Sequence, residues 1–243
     1  MNRYMVLLKH DLRNMARDPL LLFMLIGPLL LILAVRTGSA YGTDLLQSAG
    51  SFDLLRYTDL ITVFMMLLIP ILIGTMTGLF ILDERDEQLI GLYAVTPIRK
   101  QGYFLYRLAL PTLLGLAMST LFLLAGGVAQ RQFENMGVLG MLALEAPIFA
   151  LFLATAAANK VEGLALSKIV SLTLIGAIVA YFAPEPWQLL AVALPTYWPS
   201  KLYLEGASVG GDLAWTTAAL VTGFLYHLLI LYVLLRRFLQ RID

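Results

Sequence analysis

The sequence predicts an all-α polytopic membrane protein with six transmembrane helices and both termini in the cytoplasm. Of its 243 residues, 60% are hydrophobic and only 14% are charged. A soluble domain usually carries about 45–50% apolar and about 25% charged residues. The apolar residues also cluster into runs of membrane-spanning length, and the basic residues fall mainly in alternate loops. We therefore expect a single transmembrane domain over residues 1–243.

The six predicted spans correspond to apolar runs. They cover residues 20–35, 60–82, 103–125, 137–158, 169–183 and 213–235. A helix needs roughly 20 residues to cross about 30 Å of hydrocarbon. Helices are expected because a backbone in lipid has to satisfy its own hydrogen bonds. The first run is short, so we expect its helix to extend past Arg36, whose long side chain reaches the headgroups.

The distribution of the 17 Lys and Arg residues predicts the orientation. With a cytoplasmic N-terminus, 13 of them fall on the cytoplasmic side. The other four, Arg36, Arg56, Arg131 and Lys201, fall outside. Because cytoplasmic loops of membrane proteins carry an excess of basic residues, we predict a multi-pass protein of the plasma membrane.

Several classes of chemistry lack their sequence signatures. The Gly-x-x-x-x-Gly-Lys-Ser/Thr loop that cradles ATP phosphates does not occur. His10 and His227 lie far apart, in no metal-ligand spacing, and no acidic residue is near His227 in sequence. The net charge of +1 argues against a nucleic-acid partner. We expect no catalytic residues, no metal site and no cofactor in this chain, and membrane lipids as its surroundings.

Residues 1–18 are predicted to form an amphipathic helix that lies flat in the cytoplasmic interface. Tyr4, Leu8, Leu12 and Met15 fall on one helical face, and basic residues crowd the other side. A simple orientation anchor is the alternative interpretation. Asp18-Pro19 is expected to end this helix, because the residue before proline avoids helical backbone angles.

Residues 83–101 form the loop between the second and third spans. The loop is rich in charge at its start, apolar in the middle, and ends in Thr96-Pro97 followed by basic residues. A short amphipathic helix held between two spans would act as a lever, because a force on it tilts both of them. An ordinary solvated loop is the alternative.

The loop also carries a motif. Glu84-Arg85 is followed, twelve positions after Glu84, by Thr96-Pro97-Ile98. This pattern resembles the intracellular loop of type-2 ABC exporter permeases, the membrane-spanning subunits of ATP-driven exporters. The likeness extends over the whole chain, since the amphipathic leader, the six spans and a long external excursion before the last span match as well.

The resemblance implies a permease subunit, not an enzyme, that moves an amphiphilic or hydrophobic, drug-like compound out of a bacterial cell. ATP and Mg²⁺ would bind to separate ABC ATPase subunits, and a second copy or a related permease would complete the transport path. The loop would be a coupling helix that docks on the ATPase. The implied coupling residues are Glu84, Arg85, Glu87, Leu89, Leu92, Tyr93, Thr96 and Pro97. Gln88-Leu89 departs from the family, which often has Gly-Thr there, so the start of this helix is expected to differ.

Two ionisable residues lie deep in predicted spans. A charge at the centre of a bilayer costs about 2.5–3.5 kcal/mol on insertion scales. We therefore assign Glu145 to the substrate path or the dimer interface, with a buried, protonated structural glutamate as the alternative. His227 is assigned to the same region, although a hydrogen bond to a neighbouring helix would also explain it. A proton-coupled secondary transporter using Glu145 and a non-transporting scaffold or sensor remain the alternative functions.

Three further segments have predicted structural roles. Residues 184–210 are rich in Pro, Trp and Tyr, which predicts a re-entrant or interfacial external helix pair. The short loop 159–163 lies on the same side as the coupling loop and is either a second contact with the ATPase or a plain turn. Gly74 and Gly78 form a Gly-x-x-x-Gly pattern that permits close helix packing, which we expect within one subunit.

Overall fold

The computed structural model of the chain describes residues 17–48, 54–90, 99–130, 132–207 and 213–242, together with Met5 and Arg13. The described residues form helices and connecting turns without any strand. Five helical segments are long and apolar enough to cross a membrane: Thr58–Asp86, Gly102–Ala125, Asn135–Ala156, Lys160–Phe182 and Ala214–Gln240. A shorter apolar stretch, Leu25–Gly38, lies in the first helix. The prediction of an all-α polytopic membrane protein is confirmed.

The described helices follow the predicted spans in order. They are α1 (Pro19–Ser48), α2 (Thr58–Asp86), α3 (Arg99–Ala125), α4 (Asn135–Ala156), α5 (Lys160–Leu172), α6 (Ile175–Phe182), α7 (Glu185–Gln188), α8 (Tyr197–Ala207) and α9 (Leu213–Ile242). A 3₁₀ helix at Leu54–Tyr57 precedes α2. As expected, α1 continues past Arg36, and its 30 residues span about 45 Å at 1.5 Å per residue.

The first helix begins where the Asp18-Pro19 pair predicts a break. Pro19 suits the first helical position because the amide hydrogen it lacks would have no intrahelical partner there. The Leu22 N–H donates to the Asp18 carbonyl at 3.0 Å, which closes the first turn. The leader helix predicted for residues 1–18 lies almost entirely outside the described residues.

The core of the bundle is built around α2 and α4, which pack directly against each other. A Cβ atom on Gly74 would lie 2.5 Å from the Ala146 carbonyl oxygen, and one on Gly78 would lie 2.9 Å from Leu153 Cβ. Only glycine at these positions lets the two helices approach so closely. The Gly-x-x-x-Gly pattern therefore packs within one chain, as expected.

The fifth span is interrupted between α5 and α6. The carbonyl oxygen of Thr173, at the break, accepts a hydrogen bond from the Thr196 hydroxyl. A Cβ atom on Gly176 would lie 2.9 Å from the backbone nitrogen of Tyr197, so the start of α8 packs directly against the break. The Thr173 carbonyl oxygen also accepts from the Gly176 N–H at 2.9 Å, so it is hydrogen-bonded both across the break and to the segment before α8.

The predicted loop at 159–163 is instead the start of a helix, which corrects its interpretation as a plain turn. Asn159 caps α5, since its side chain accepts a hydrogen bond from the Glu162 N–H at 2.9 Å. The Glu162 carboxylate in turn accepts from the Ala158 N–H at 2.6 Å. These reciprocal contacts satisfy amide hydrogens that a helix start leaves free.

The bundle has two ends, named here by one residue at each. The Lys160 end holds the last turn of α2 and the start of α5; the Trp198 end holds α7, α8 and the start of α9. Residues 184–210 include α7 and α8, the predicted pair of short helices, and α8 buries Leu202 and Tyr203 against the bundle.

Candidate functional site

At the Lys160 end, Glu84 is buried between α2 and α3. Its side chain is 7% exposed. One carboxylate oxygen accepts hydrogen bonds from the Tyr103 hydroxyl at 2.5 Å and from Arg107 Nε at 3.0 Å. The other oxygen pairs with Arg107 Nη2. Glu84 was predicted to contact an ATPase, yet here its carboxylate contacts the third span.

Arg107 completes this cluster, which we call the Glu84 clamp (Glu84, Tyr103 and Arg107). Its guanidinium lies 5.5–5.6 Å from the ring centroids of Phe80, Tyr103 and Tyr106, in addition to its paired contact with Glu84. Charge-assisted hydrogen bonds and cation–π contacts are both strong when water is excluded. The clamp therefore ties the helices on the two sides of residues 91–98.

Arg85, the next residue, points to a different helix. Its guanidinium donates to the carbonyl oxygens of Ala154 at 2.9 Å and Ala157 at 2.7 Å. These carbonyls belong to the C-terminal turn of α4, where helix carbonyls lack intrahelical partners and a positive charge is favoured. Arg85 thus fixes the end of α2 to the end of α4.

Lys160 connects the start of α5 to α2 and to the start of α1. Its ammonium pairs with Asp83 at 2.6 Å and with Asp18 at 3.0 Å, and its backbone N–H donates to Asp86 at 3.0 Å. Asp18 precedes α1, Asp83 and Asp86 end α2, and Lys160 begins α5. The Lys160 end is therefore a continuous polar network that joins α1, α2 and α5.

The chain leaves α2 through Gln88, which has a φ of 58°. This left-handed conformation is common at helix ends but favours glycine, which has no Cβ penalty there. Glycine often stands here in the permeases that the loop resembles, and Gln88 adopts in this chain a conformation that glycine tolerates best. Glu87 is exposed and Leu89 half-buried. The other predicted coupling residues, Leu92, Tyr93, Thr96 and Pro97, lie outside the described residues.

Deep in the bundle, Glu145 of α4 lies beside His227 of α9. Both side chains are completely buried, and Oε1 of Glu145 is 3.7 Å from Nε2 of His227. His227 Nδ1 lies 2.7 Å from the Gly223 carbonyl oxygen. Within the described part of the chain, neither carboxylate oxygen nor Nε2 has a hydrogen-bond partner. His227 therefore has an acidic neighbour in space, although none lies near it in sequence.

The geometry of this pair requires a proton. Only an N–H contacts a carbonyl oxygen favourably, so Nδ1 carries hydrogen and Nε2 of a neutral ring is an acceptor. An ionised Glu145 would then place acceptor against acceptor without water. One proton between them removes the conflict, either on the carboxyl group or on the ring. The arrangement therefore favours one shared proton on this buried pair.

At the Trp198 end, Lys201 makes two ion pairs. Its ammonium lies 2.8 Å from Glu205 and 3.2 Å from Glu185. Burial alone would lower the pKa of Lys201, but the hydrogen bonds with the two carboxylates outweigh it and raise the pKa. The ion pairs therefore stabilise the fold at neutral pH, and this contribution is lost as the pH rises through the raised pKa of Lys201.

Sequence reasoning missed the partners of the predicted site residues. Arg107 was treated as one more basic residue of the cytoplasmic side, and Tyr103 only marked the start of a span. A signal for Arg107 did exist, because an arginine inside an apolar run needs a buried partner or an interface to reach. The roles assigned to Glu84, Arg85, Glu145 and His227 remain predictions, whereas their positions are now defined.

Residues 11–235 match the family described as Rv2686c-like, "Fluoroquinolones export permease protein Rv2686c-like". The chain belongs to this family. Two curated relatives from Mycobacterium tuberculosis, named fluoroquinolones export permease protein MT2760 (strain CDC 1551 / Oshkosh) and Rv2686c (strain H37Rv), are each 29% identical over 238 residues. The alignment covers 95% of this chain and 91% of each relative. No solved structure matches the chain.

Membership of the Rv2686c-like family confirms the resemblance to export permeases. The match begins within the leader and ends in α9, so it includes all six predicted spans and the loop that carries the motif.

Proposed function

We propose that the chain is the membrane-spanning subunit of an ATP-driven exporter. A separate ABC ATPase subunit would bind and hydrolyse ATP with Mg²⁺, and this chain would form the path with a second permease copy or a related permease. The cargo would be an amphiphilic, drug-like compound. Because the curated relatives are named for fluoroquinolones, that class is the first to test.

The Lys160 end carries this proposal. The Glu84 clamp holds α3 to α2, Arg85 holds α4, and Lys160 joins α5 and the start of α1 to the same turn. A displacement of residues 83–90 would therefore reach every one of these helices. Packed helices move as rigid bodies rather than deform continuously, so an ATPase pressing on this turn would reorient the bundle.

Contact with an ATPase can be tested by cross-linking, because the chain has no cysteine of its own. Glu87 is exposed at the Lys160 end, whereas Phe133, at the Trp198 end, is 82% exposed. Each would be replaced singly by cysteine, and the membrane complex would be treated with a short bifunctional thiol-to-amine reagent. We expect Glu87→Cys to cross-link to the ATPase and Phe133→Cys, the matched control, not to do so.

The same two variants test the orientation. A membrane-impermeant maleimide applied to intact cells should label Phe133→Cys and leave Glu87→Cys unlabelled. Labelling of Glu87→Cys from outside would place the coupling turn on the wrong side of the bilayer and would overturn the proposal.

Transport itself is measured as ATP-dependent uptake of a fluoroquinolone into inverted vesicles that contain both proteins. Replacing Thr96 and Pro97 by alanine should abolish uptake but leave the fold and the ATPase association intact. Full uptake without any ATPase would remove the ATP-driven assignment.

The buried pair favours a second candidate, a proton-coupled secondary transporter. Residues 60–82 of α2 and 108–125 of α3 contain no Asp, Glu, Lys, Arg or His. Glu145 is the one Asp, Glu, Lys, Arg or His in α4, and His227 is the one such residue in residues 213–235 of α9. A proton gradient that drives uptake in vesicles lacking ATP, and that no longer does so in Glu145→Gln, would support this alternative.

A further inference from the structure

A second candidate site lies at the Trp198 end, away from residues 83–90 at the Lys160 end. A cavity of about 200 Å³ opens between the α7–α8 segment and the first turns of α9. Trp198 and Trp215 line it together with Tyr197, and two charged side chains, Glu185 and Lys201, complete the wall. Ligand pockets typically combine an apolar, aromatic lining with a few fixed polar groups of this kind.

The aromatic part of the wall is fixed in place. The Trp198 indole N–H donates to the Val192 carbonyl at 3.1 Å, and the ring packs edge-on against Tyr197 with 5.4 Å between centroids. Trp215 is 54% exposed, so its ring is accessible from the cavity. A planar ligand would therefore meet a pre-organised surface rather than one that must first be ordered.

The charges of the wall favour a cation. The Lys201 side chain is only 9% exposed and lies nearer to Glu205, at 2.8 Å, than to Glu185, at 3.2 Å. Glu185 is 64% exposed. Glu185 can turn towards a ligand while Lys201 keeps its contact with Glu205. An anion, by contrast, would have to displace a carboxylate from Lys201.

We propose that this cavity binds aromatic ammonium compounds. The ring would lie against Trp198 and Trp215, and the ammonium would contact the Glu185 carboxylate and the faces of the indoles, which attract cations. Cargo recognition at this cavity rests on the proposed export function. Binding itself does not, because it needs neither ATP nor a partner.

The three tryptophans provide the measurement. Trp187 does not line the cavity, so Trp187→Phe leaves Trp198 and Trp215 as the only indoles. This variant would be reconstituted alone in discs of zwitterionic lipid and titrated with benzyltrimethylammonium. Neopentylbenzene, which has carbon in place of the charged nitrogen, and benzenesulfonate serve as the neutral and anionic controls. We expect a saturable change in emission with the cation only.

Two substitutions locate the binding site. Glu185→Gln should weaken cation binding about three- to fivefold, the range of a partly exposed ion pair. Trp215→Leu should weaken it about threefold, in line with an exposed cation–π contact. Glu134→Gln, at the same end but outside the cavity, is the matched control and should leave the affinity unchanged.

Equal affinities for the cation and its neutral isostere, or an unchanged affinity in Glu185→Gln, would overturn the site. Cation binding that persists while no ATPase cross-links to Glu87→Cys would overturn the export proposal and leave the site standing. Cross-linking of the ATPase to Glu87→Cys without cation binding would overturn the site and leave the export proposal standing. The two failures are therefore distinguishable.

Discussion

Among the described residues, two acid–base pairs have both side chains buried, and they differ in position and in hydrogen bonding. Glu84 and Arg107 lie at the end of the bundle with charge-assisted hydrogen bonds to both carboxylate oxygens. Glu145 and His227 lie deep within it, 3.7 Å apart and without a hydrogen bond between them. The carboxylate of the first pair is hydrogen-bonded at both oxygens, whereas in the second pair neither carboxylate oxygen nor Nε2 has a partner among the described residues.

The difference indicates a structural role for Glu84 and Arg107, whereas Glu145 and His227 retain donor and acceptor atoms that bind nothing among the described residues. A fully satisfied buried ion pair costs several kcal/mol to break, since the remaining charge stays buried. A pair with orphaned buried atoms already carries an energetic cost, for which a functional role is one explanation. Glu84 is thus expected to resist substitution for reasons of stability, and Glu145 for reasons of function.

The largest expected effect follows from removing the satisfied acid. Glu84→Leu leaves the buried Arg107 guanidinium without its carboxylate, so unfolding should become easier by about 3–5 kcal/mol. Glu84→Gln keeps a hydrogen-bond acceptor and should lose less. Thermal unfolding in detergent measures both. Equal stabilities of wild type and Glu84→Leu would contradict the importance of the clamp.

The same substitution at the second pair should act in the opposite direction. Glu145→Leu removes two orphaned oxygens, whose burial costs about 1–3 kcal/mol, without orphaning a new atom. The variant is expected to be at least as stable as wild type but deficient in transport. Glu145→Gln, which can donate a hydrogen bond to His227, serves as the comparison. A marked loss of stability in Glu145→Leu would make Glu145 structural instead.

The partly exposed ion pairs of Lys160 should have a smaller effect on stability than either buried pair. Lys160→Met removes the contacts with Asp83 and Asp18, in which the side chains are 25–37% exposed. Water can replace much of each contact, so the loss should be about 1 kcal/mol, near the upper limit for surface pairs. Lys160→Arg keeps the charge and is the control. Added salt should reduce the difference between the two variants.

The smallest effect concerns the backbone at the end of α2, where Gln88 has a positive φ. Gln88→Gly should raise stability by about 0.5 kcal/mol, because glycine adopts the left-handed conformation of this turn without steric cost. Glu87→Gly, one position earlier in a right-handed conformation, should lower it. Equal effects of the two substitutions would argue against the observed turn. Denaturant unfolding of the two variants side by side resolves differences of this size.

The sequence predicts the positions of the helices better than it predicts which helices contact each other. Apolar runs locate each span, Asp18-Pro19 locates the start of α1, and Gly74 and Gly78 predict a close approach within the chain. All three signals are local, because each depends on hydrophobicity or backbone sterics over a few residues.

The pairs could not be predicted in the same way. Glu84 and Arg107 meet because α2 and α3 are neighbours in one particular register, and Glu145 meets His227 because α4 packs on α9. Periodicity and composition do not predict that α2 lies beside α3 or that α4 packs on α9, since any two spans can be neighbours in a bundle. The interpretation of 159–163 as a loop was wrong for a local reason: the cap formed by Asn159 and Glu162 was overlooked.

The hydrogen bonds from Arg85 to the last carbonyls of α4 restrict which helices of this bundle can separate. Separating α2 from α4 would break both hydrogen bonds and pull apart the glycine contacts at Gly74 and Gly78. The seam between α4 and α9 is closed by side-chain packing, Gly140 against Phe224 and Gly223 against Met141. It also contains Glu145 and His227, so a sliding of α4 against α9 would expose this buried acid–base pair.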